Sequence, residues 1–185
     1  ANMNRVFNDT PLNVFGEDFY PRTVSWFADD YYFWVSGSGA ASINTAGCRK
    51  AFLCHYNPVA NTITVLDSFT TATDISMLSL SPCNRWIASR QGNSLIVHRI
   101  LPNRRLGTEL LNLLTNTHRA FAWHPSGNYL AQKYSTGIRI YGINASGATL
   151  ITGSVSNRPV FGWLNGGRTF VTLTMTSTVT AYDFN

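Results

Sequence analysis

Phe121-Ala122-Trp123-His124-Pro125-Ser126-Gly127-Asn128-Tyr129-Leu130-Ala131, followed after a short gap by Gly137-Ile138-Arg139-Ile140-Tyr141-Gly142-Ile143, is the stretch on which the reading of the fold turns. Phe121, Ala122 and Trp123 alternate large, small, large, the pattern of a strand with one buried face. His124–Asn128 then gathers Pro, Ser, Gly and Asn, which favour tight turns, and Tyr129-Leu130-Ala131 starts the return strand. Gly137–Ile143 alternates again, and Ala148-Thr149-Leu150-Ile151-Thr152 supplies a fourth strand.

The same unit recurs on either side. Val24–Val35, Leu78–Ser89 and Phe161–Val171 align with it and place Trp26, Leu80, Trp123 and Trp163 at equivalent strand positions. Trp26 to Leu80 is 54 residues, Leu80 to Trp123 is 43 and Trp123 to Trp163 is 40. Third strands follow at Ala51–Tyr56, Ser94–Ile100 and Ser177–Phe184, and fourth strands at Thr62–Leu66 and Thr108–Leu114. An insertion near Ser38–Gly47 displaces the third strand of the first repeat. Leu106–Leu114 tolerates helical spacing, but Gly107 and Asn112 favour a strand. Four-stranded units of about 40 residues describe β-propeller blades. The expected fold is all-β: a small β-propeller of about four four-stranded blades, near 21–67, 75–114, 118–153 and 158–185, forming a single domain over 1–185. The last blade lacks a fourth strand, and the segment 1–20, through Asn4–Phe7 or Leu12–Phe15, is expected to pair with Val179–Phe184 and close the ring, since open strand edges are avoided. The rival arrangement is an incomplete ring completed by a partner chain.

His124–Ala131 with Gly137–Tyr141 resembles the inner strands of a WD-repeat blade, and Ser81-Pro82-Cys83-Asn84-Arg85-Trp86-Ile87-Ala88 resembles it more weakly. The resemblance covers roughly residues 20–185 and implies a protein-interaction scaffold. No Gly-His pair opens a blade, and the terminal Trp-Asp is replaced by His98-Arg99, Tyr141-Gly142 or Tyr182-Asp183, so the family's buried polar tetrad is missing.

The 185 residues are 44% apolar and 12% charged, which excludes disorder and leaves enough apolar material for a core. No apolar run approaches the roughly 20 residues of a membrane helix, and the first residues carry no signal-peptide core, so neither a membrane span nor export by signal peptide is expected. Sixteen serines, 20 threonines and 17 asparagines make an uncharged polar surface, which suits a protein embedded among neighbours. Residues 1–75 carry a net charge of −3 and residues 76–185 carry +8. Twelve of the fourteen cations are arginines, suited to bidentate pairing with carboxylate or phosphate. Head-to-tail packing of the acidic part on the basic part is one reading. Polyanion contact through Arg85, Arg90, Arg99, Arg104, Arg105 and Arg119 is another, and a solvated basic face is the plain one.

Cys48, Cys54 and Cys83 give no disulfide framework, and Cys54 beside His55 lacks the further ligands of a zinc site. No nucleophile elbow, phosphate-binding loop or metalloprotease motif is present, and Asp29-Asp30 falls at a turn. Gly37-Ser38-Gly39 is followed by neither helix nor lysine and reads as a hairpin tip. His118 and His124 are expected to hold structural hydrogen bonds, and His55 and His98 to lie on third strands. The expectation is therefore no enzyme, no catalytic residue, no metal and no cofactor.

Trp26, Trp123 and Trp163 recur at blade spacing and are expected in the core. Tyr31-Tyr32-Phe33-Trp34 is denser than one strand face can bury, so Tyr31, Tyr32 and Trp34 are expected at an interface, with Arg85, Arg90, Arg99, Arg104 and Arg105 beside them. The reading is a non-enzymatic interaction subunit of a larger assembly, with protein partners and an oligomeric or assembly-embedded state. The small size and the wealth of Asn and Thr are similar to bacteriophage virion proteins, a tail, connector or capsid-associated subunit. The alternatives are a cytoplasmic WD-repeat-like scaffold and a carbohydrate- or nucleic-acid-binding module, with nucleic acid not favoured.

Overall fold

The computed structural model describes residues 19–28, 31–39, 49–114, 120–134, 137–156, 160–173 and 179–184. These residues form four sheets. Sheet 1 runs in the order β1 (Phe19–Trp26), β2 (Tyr32–Gly39), β3 (Lys50–Asn57) and β4 (Thr62–Thr70). Sheet 2 contains β5 (Ile75–Leu80), β6 (Trp86–Gln91), β7 (Ser94–Ile100) and β8 (Leu106–Leu114). Sheet 3 contains β9 (Phe121–Trp123), β10 (Tyr129–Tyr134), β11 (Gly137–Asn144) and β12 (Gly147–Ser156), and sheet 4 contains β13 (Val160–Leu164), β14 (Thr169–Leu173) and β15 (Val179–Asp183). Each sheet is a meander in which consecutive strands are neighbours, the arrangement expected of propeller blades. Leu106–Leu114 is a strand, because its register sets Leu111 opposite Val97 and Leu113 opposite Leu95, both buried on β7. Gly37, Ser38 and Gly39 lie in β2, paired to Pro21, Tyr20 and Phe19, and not at a hairpin tip. The closing segment expected at 1–20 lies outside the described residues apart from its last two, Phe19 and Tyr20, which belong to β1 and pair with β2. The insertion near Ser38–Gly47 also lies mostly outside them, as do Cys48, His118, Arg119 and Asp29-Asp30.

Two compact units divide the chain: residues 1–79 with 89–92, and residues 80–88 with 93–185. In the first unit, Trp26 is paired with Phe33, and Phe33, Val35, Phe52 and Cys54 form a buried cluster on one face of sheet 1. Trp34, Leu53 and Ala51 alternate to the other face and are fully buried as well. Burial pushes the Cys54 thiol up to about 12. In the second unit, Ala131, Ile138 and Ile140 of sheet 3 pack against Phe170, with Phe161, Trp163, Tyr182 and Phe184 of sheet 4 around them.

One backbone bond recurs in every sheet. The last residue of the first turn offers its carbonyl to an N–H at the end of the third strand: Tyr56 to Tyr31 at 2.7 Å, Ile100 to Arg85 at 2.8 Å, Ile143 to Asn128 at 2.7 Å and Phe184 to Arg168 at 2.8 Å. The repeat is thus carried by the backbone, while the side chain at this position is free to differ.

The core expectation for the tryptophans is corrected at Trp26, which is 46% exposed although its ring lies 4.4 Å from that of Phe33. Trp163 is half-buried, with the rings of Phe170 at 4.8 Å and Phe184 at 4.9 Å.

Candidate interaction surface

Four of the arginines singled out from sequence are brought to one end of sheet 2. Arg85 closes the turn between β5 and β6, Arg99 is near the end of β7, and Arg104 and Arg105 belong to the turn between β7 and β8. The backbone fixes their spacing. Ile100 N–H donates to Arg85 O, Leu101 N–H to Arg105 O at 2.9 Å and Arg104 N–H to Leu101 O at 2.8 Å. Arg105 N–H also donates to Asn103 Oδ1 at 3.2 Å, an Asn side chain acting as a turn brace. Arg85, Arg99 and Arg105 are exposed and Arg104 is half-buried. Neither turn, Ser81–Arg85 nor Leu101–Arg105, contains a carboxylate.

Arg85 is held further by its side chain. Nη2 donates to Asn128 Oδ1 at 2.7 Å, and the guanidinium lies 5.5 Å from the Trp86 ring centre. The same turn carries Cys83, whose Sγ is 3.3 Å from Ser81 Oγ and donates to Gly127 O at 3.6 Å. Burial alone would raise this thiol, but hydrogen bonds from Ser81 and Arg85 and the charge of Arg85 outweigh it and hold Cys83 below its ordinary value.

The other expected site residues separate. Tyr31 is 47% exposed in the first turn of sheet 1, and Tyr32 is half-buried with its ring 4.5 Å from that of His55. Trp34 is a correction: it is fully buried, 5.6 Å from Phe69. The aromatic run exceeds what one face of β2 can bury, but both faces are covered. Arg90 is a second correction to the expected exposure, since it is 5% exposed and its Nε donates to Gly92 O at 3.0 Å.

His124 is the residue whose setting the sequence understated. It is nearly buried, and its Nδ1 accepts from Ser126 N–H at 3.0 Å, with Ser126 Oγ at 2.8 Å. Ser126 Oγ accepts from Asn128 N–H at 3.2 Å. The imidazole stands edge-on to Trp163 at 4.8 Å and to Tyr129 at 5.4 Å, with Phe184 at 5.7 Å. Trp163 Nε1 donates to Ala122 O at 3.4 Å. The Pro-Ser-Gly-Asn run after His124 signalled the turn, but nothing local signalled the rings that come from sheet 4. Among the described residues no three His, Cys, Asp or Glu side chains gather as a metal site, and no helix is long and apolar enough to cross a membrane.

No protein-family model matches the chain, and no curated protein does. Solved structures do. Sqt1 of Saccharomyces cerevisiae, a WD40-type propeller, superposes with a TM-score of 0.67 at 12% identity, over 89% of this chain and 47% of its own. The β-propeller domain of Cps50 (Swd1) from Myceliophteria thermophila gives 0.62 at 11%, over 90% of this chain and 55% of its own. A putative 6-phosphogluconolactonase from Bacteroides fragilis gives 0.62 at 14%, over 90% and 51%. The chain therefore has the β-propeller fold and spans about half the length of the structures it matches. The lactonase corrects one expectation: this fold is shared with chains named as enzymes, so the absence of a catalytic motif does not make the protein a non-enzyme. A virion or bacteriophage setting finds no counterpart among these structures.

Proposed function

We propose that the protein is an interaction subunit whose propeller scaffold presents the arginine end of sheet 2 to an acidic protein partner. The observation that carries this reading is the convergence of Arg85, Arg99, Arg104 and Arg105 on two turns tied by the Ile100–Arg85 and Leu101–Arg105 backbone bonds. Cations fixed in this way meet carboxylates with little ordering cost, which is what a display scaffold supplies. A protein is favoured over nucleic acid because neither turn carries an exposed ring on which a base stacks; Trp86 beneath Arg85 is 3% exposed. A carbohydrate reading loses its platform with the burial of Trp34. The virion setting rests on composition alone and the cytoplasmic scaffold on the WD-repeat-like blade, and recovery of the chain in fixed copy number from purified particles separates them.

The test is binding of labelled poly-L-glutamate at low and high salt. Wild-type binding is expected to weaken with salt, and Arg99→Ala with Arg105→Ala to weaken it several-fold at low salt. Equal binding by the double variant, or tighter binding of a single-stranded oligonucleotide than of polyglutamate, overturns the reading.

A further inference from the structure

Sheet 3 carries an amide and a guanidinium where sheet 1 carries an apolar pair. Gln132 of β10 opposes Arg139 of β11, so the two side chains stand next to each other on one face. The recurring backbone bond locates the same position in every sheet: Arg139 lies four residues before Ile143, as Phe52 lies before Tyr56, Ile96 before Ile100 and Thr180 before Phe184. In sheet 1 the equivalent pair is Val35 with Phe52, both in the buried cluster of that sheet. A blade therefore folds with apolar side chains at these positions, and the polar pair of sheet 3 is not a requirement of the fold.

Gln132 is 2% exposed, and its Nε2 has no hydrogen-bond partner among the described residues. A buried donor without an acceptor is destabilising, and an acceptor arriving from outside relieves it. Arg139 beside it is half-buried, with its guanidinium 4.1 Å from the centre of the Tyr134 ring. A hydrogen bond with Tyr141, opposed in part by burial and helped by Tyr134, holds Arg139 above its ordinary value. Two tyrosines thus orient the guanidinium, which has more N–H donors than they take up. On its other side Arg139 opposes Gly153 at a bulge in the β11–β12 ladder, so the residue across from it has no side chain to cover it. Sheet 3 contains no Asp or Glu anywhere from 120 to 156, so no carboxylate of its own sheet neutralises this cation.

We propose that Gln132 and Arg139 form a receptor for a carboxylate, with one oxygen held by the guanidinium and the other by the Gln132 amide. Directly opposed strand positions have Cβ atoms about 5 Å apart, a span that a carboxylate bridges between the tips of two long side chains. Lys133, next to Gln132, alternates to the other face, so the ligand meets a single positive charge. That matches a carboxylate and leaves the second charge of a phosphate unmet. The arginine turns lie at the other end of the strands: Arg85 bonds Asn128 in the turn between β9 and β10, whereas Arg139 follows the turn between β10 and β11. The receptor therefore stands or falls independently of the interaction with an acidic partner.

The experiment is a titration of the full chain with sodium acetate, followed in nitrogen–proton correlation spectra at an ionic strength held constant with sodium chloride. The Gln132 side-chain amide is assigned by its loss in Gln132→Leu. Its signals are expected to shift saturably with acetate, and to stay in place in Arg139→Ile, which introduces the residue that sheet 2 already tolerates at this position. Arg139→Lys keeps the charge without the fork and should weaken the response several-fold. Arg99→Ala with Arg105→Ala should leave it unchanged. A second titration with N-acetyl-Gly-Glu-Gly-amide sets a peptide side chain against the free acid, and the tighter of the two identifies the source of the carboxylate. An amide that acetate and the peptide both leave unmoved, a shift that chloride or phosphate produces equally, or a shift that persists in Arg139→Ile overturns the proposal.

Discussion

Gly167 lies against the imidazole of His124, so closely that a Cβ built on it would overlap the ring nitrogen Nε2. Its φ of +98° is in the left-handed region that L side chains avoid, so the turn of sheet 4 is doubly committed to glycine here. The contact ties two turns with no shared secondary structure. The imidazole is fixed from its other side by Ser126, which holds Nδ1 as an acceptor and leaves Nε2–H toward the glycine. Gly167→Ala is expected to cost on the order of 3 kcal/mol, read as a melting temperature lower by roughly 5–10 °C. Adding His124→Ala removes the overlap but not the backbone strain, so the double variant should lose less than the sum of the single losses. Strict additivity in a double-mutant cycle would show that the two residues do not meet.

Gly127 makes the parallel prediction between sheets 2 and 3. It has φ +75°, and an added Cβ would lie 2.7 Å from the Cys83 backbone nitrogen, an atom that no side-chain rotation moves. Gly127→Ala should therefore cost about 3 kcal/mol in urea unfolding and should perturb the Cys83 thiol bonded to its carbonyl. An unchanged midpoint would remove the close approach.

The two described cysteines should differ in reactivity. Cys54 is fully buried with its thiol pushed up to about 12, whereas Cys83 is held below its ordinary value by Ser81 and Arg85. Iodoacetamide with peptide mapping at pH 7 should modify Cys83 well before Cys54. Arg85→Ala should move the inflection of the Cys83 rate upward in pH, since it takes away both a donor and a charge. An inflection that stays in place would dissociate the thiol from the arginine.

His98 predicts a pH dependence of stability. Burial lowers its pKa below the ordinary 6.5, and Glu109, opposite it in the ladder, offsets part of that shift. A base with a lower pKa folded than unfolded binds fewer protons in the native state, so its share of stability is complete above the unfolded pKa. That share is lost as pH falls through 6.5 toward the folded value. Urea midpoints should drop between pH 7.5 and 5, and Glu109→Gln should steepen the drop by removing the one attraction that favours the charged ring. A His98→Gln variant with the same pH slope as wild type would place the dependence elsewhere.

Trp34 and Tyr31 should behave as opposites although three residues apart. Trp34→Ala removes a fully buried indole and is expected to cost about 3–5 kcal/mol. Trp34→Phe should cost much less, because Trp34 Nε1 has no hydrogen-bond partner to lose. Tyr31→Ala, at a half-exposed ring, should stay within about 0.5 kcal/mol.

The recurrence of Trp26, Leu80, Trp123 and Trp163 made the blades legible in the sequence, because a strand's two-residue period and a turn's Pro, Gly and Asn are local chemistry. Arg104 and Arg105 were visible only as adjacent cations in the basic part of the sequence. What the sequence left undecided was coverage. A strand's own alternation says which residues share a face, and it is silent on whether another element lies over that face. Trp34 is buried because both faces of β2 are covered, and Trp26 is half-exposed because its corner of sheet 1 is not. Arg85 joins Arg99, Arg104 and Arg105 because backbone bonds across the sheet bring two separate turns to one end, while Arg90, one strand length away, is drawn inside to Gly92. Local period determined the strands and their turns. Burial and charge placement were decided by contacts between residues far apart in the chain, which only the tertiary structure supplies.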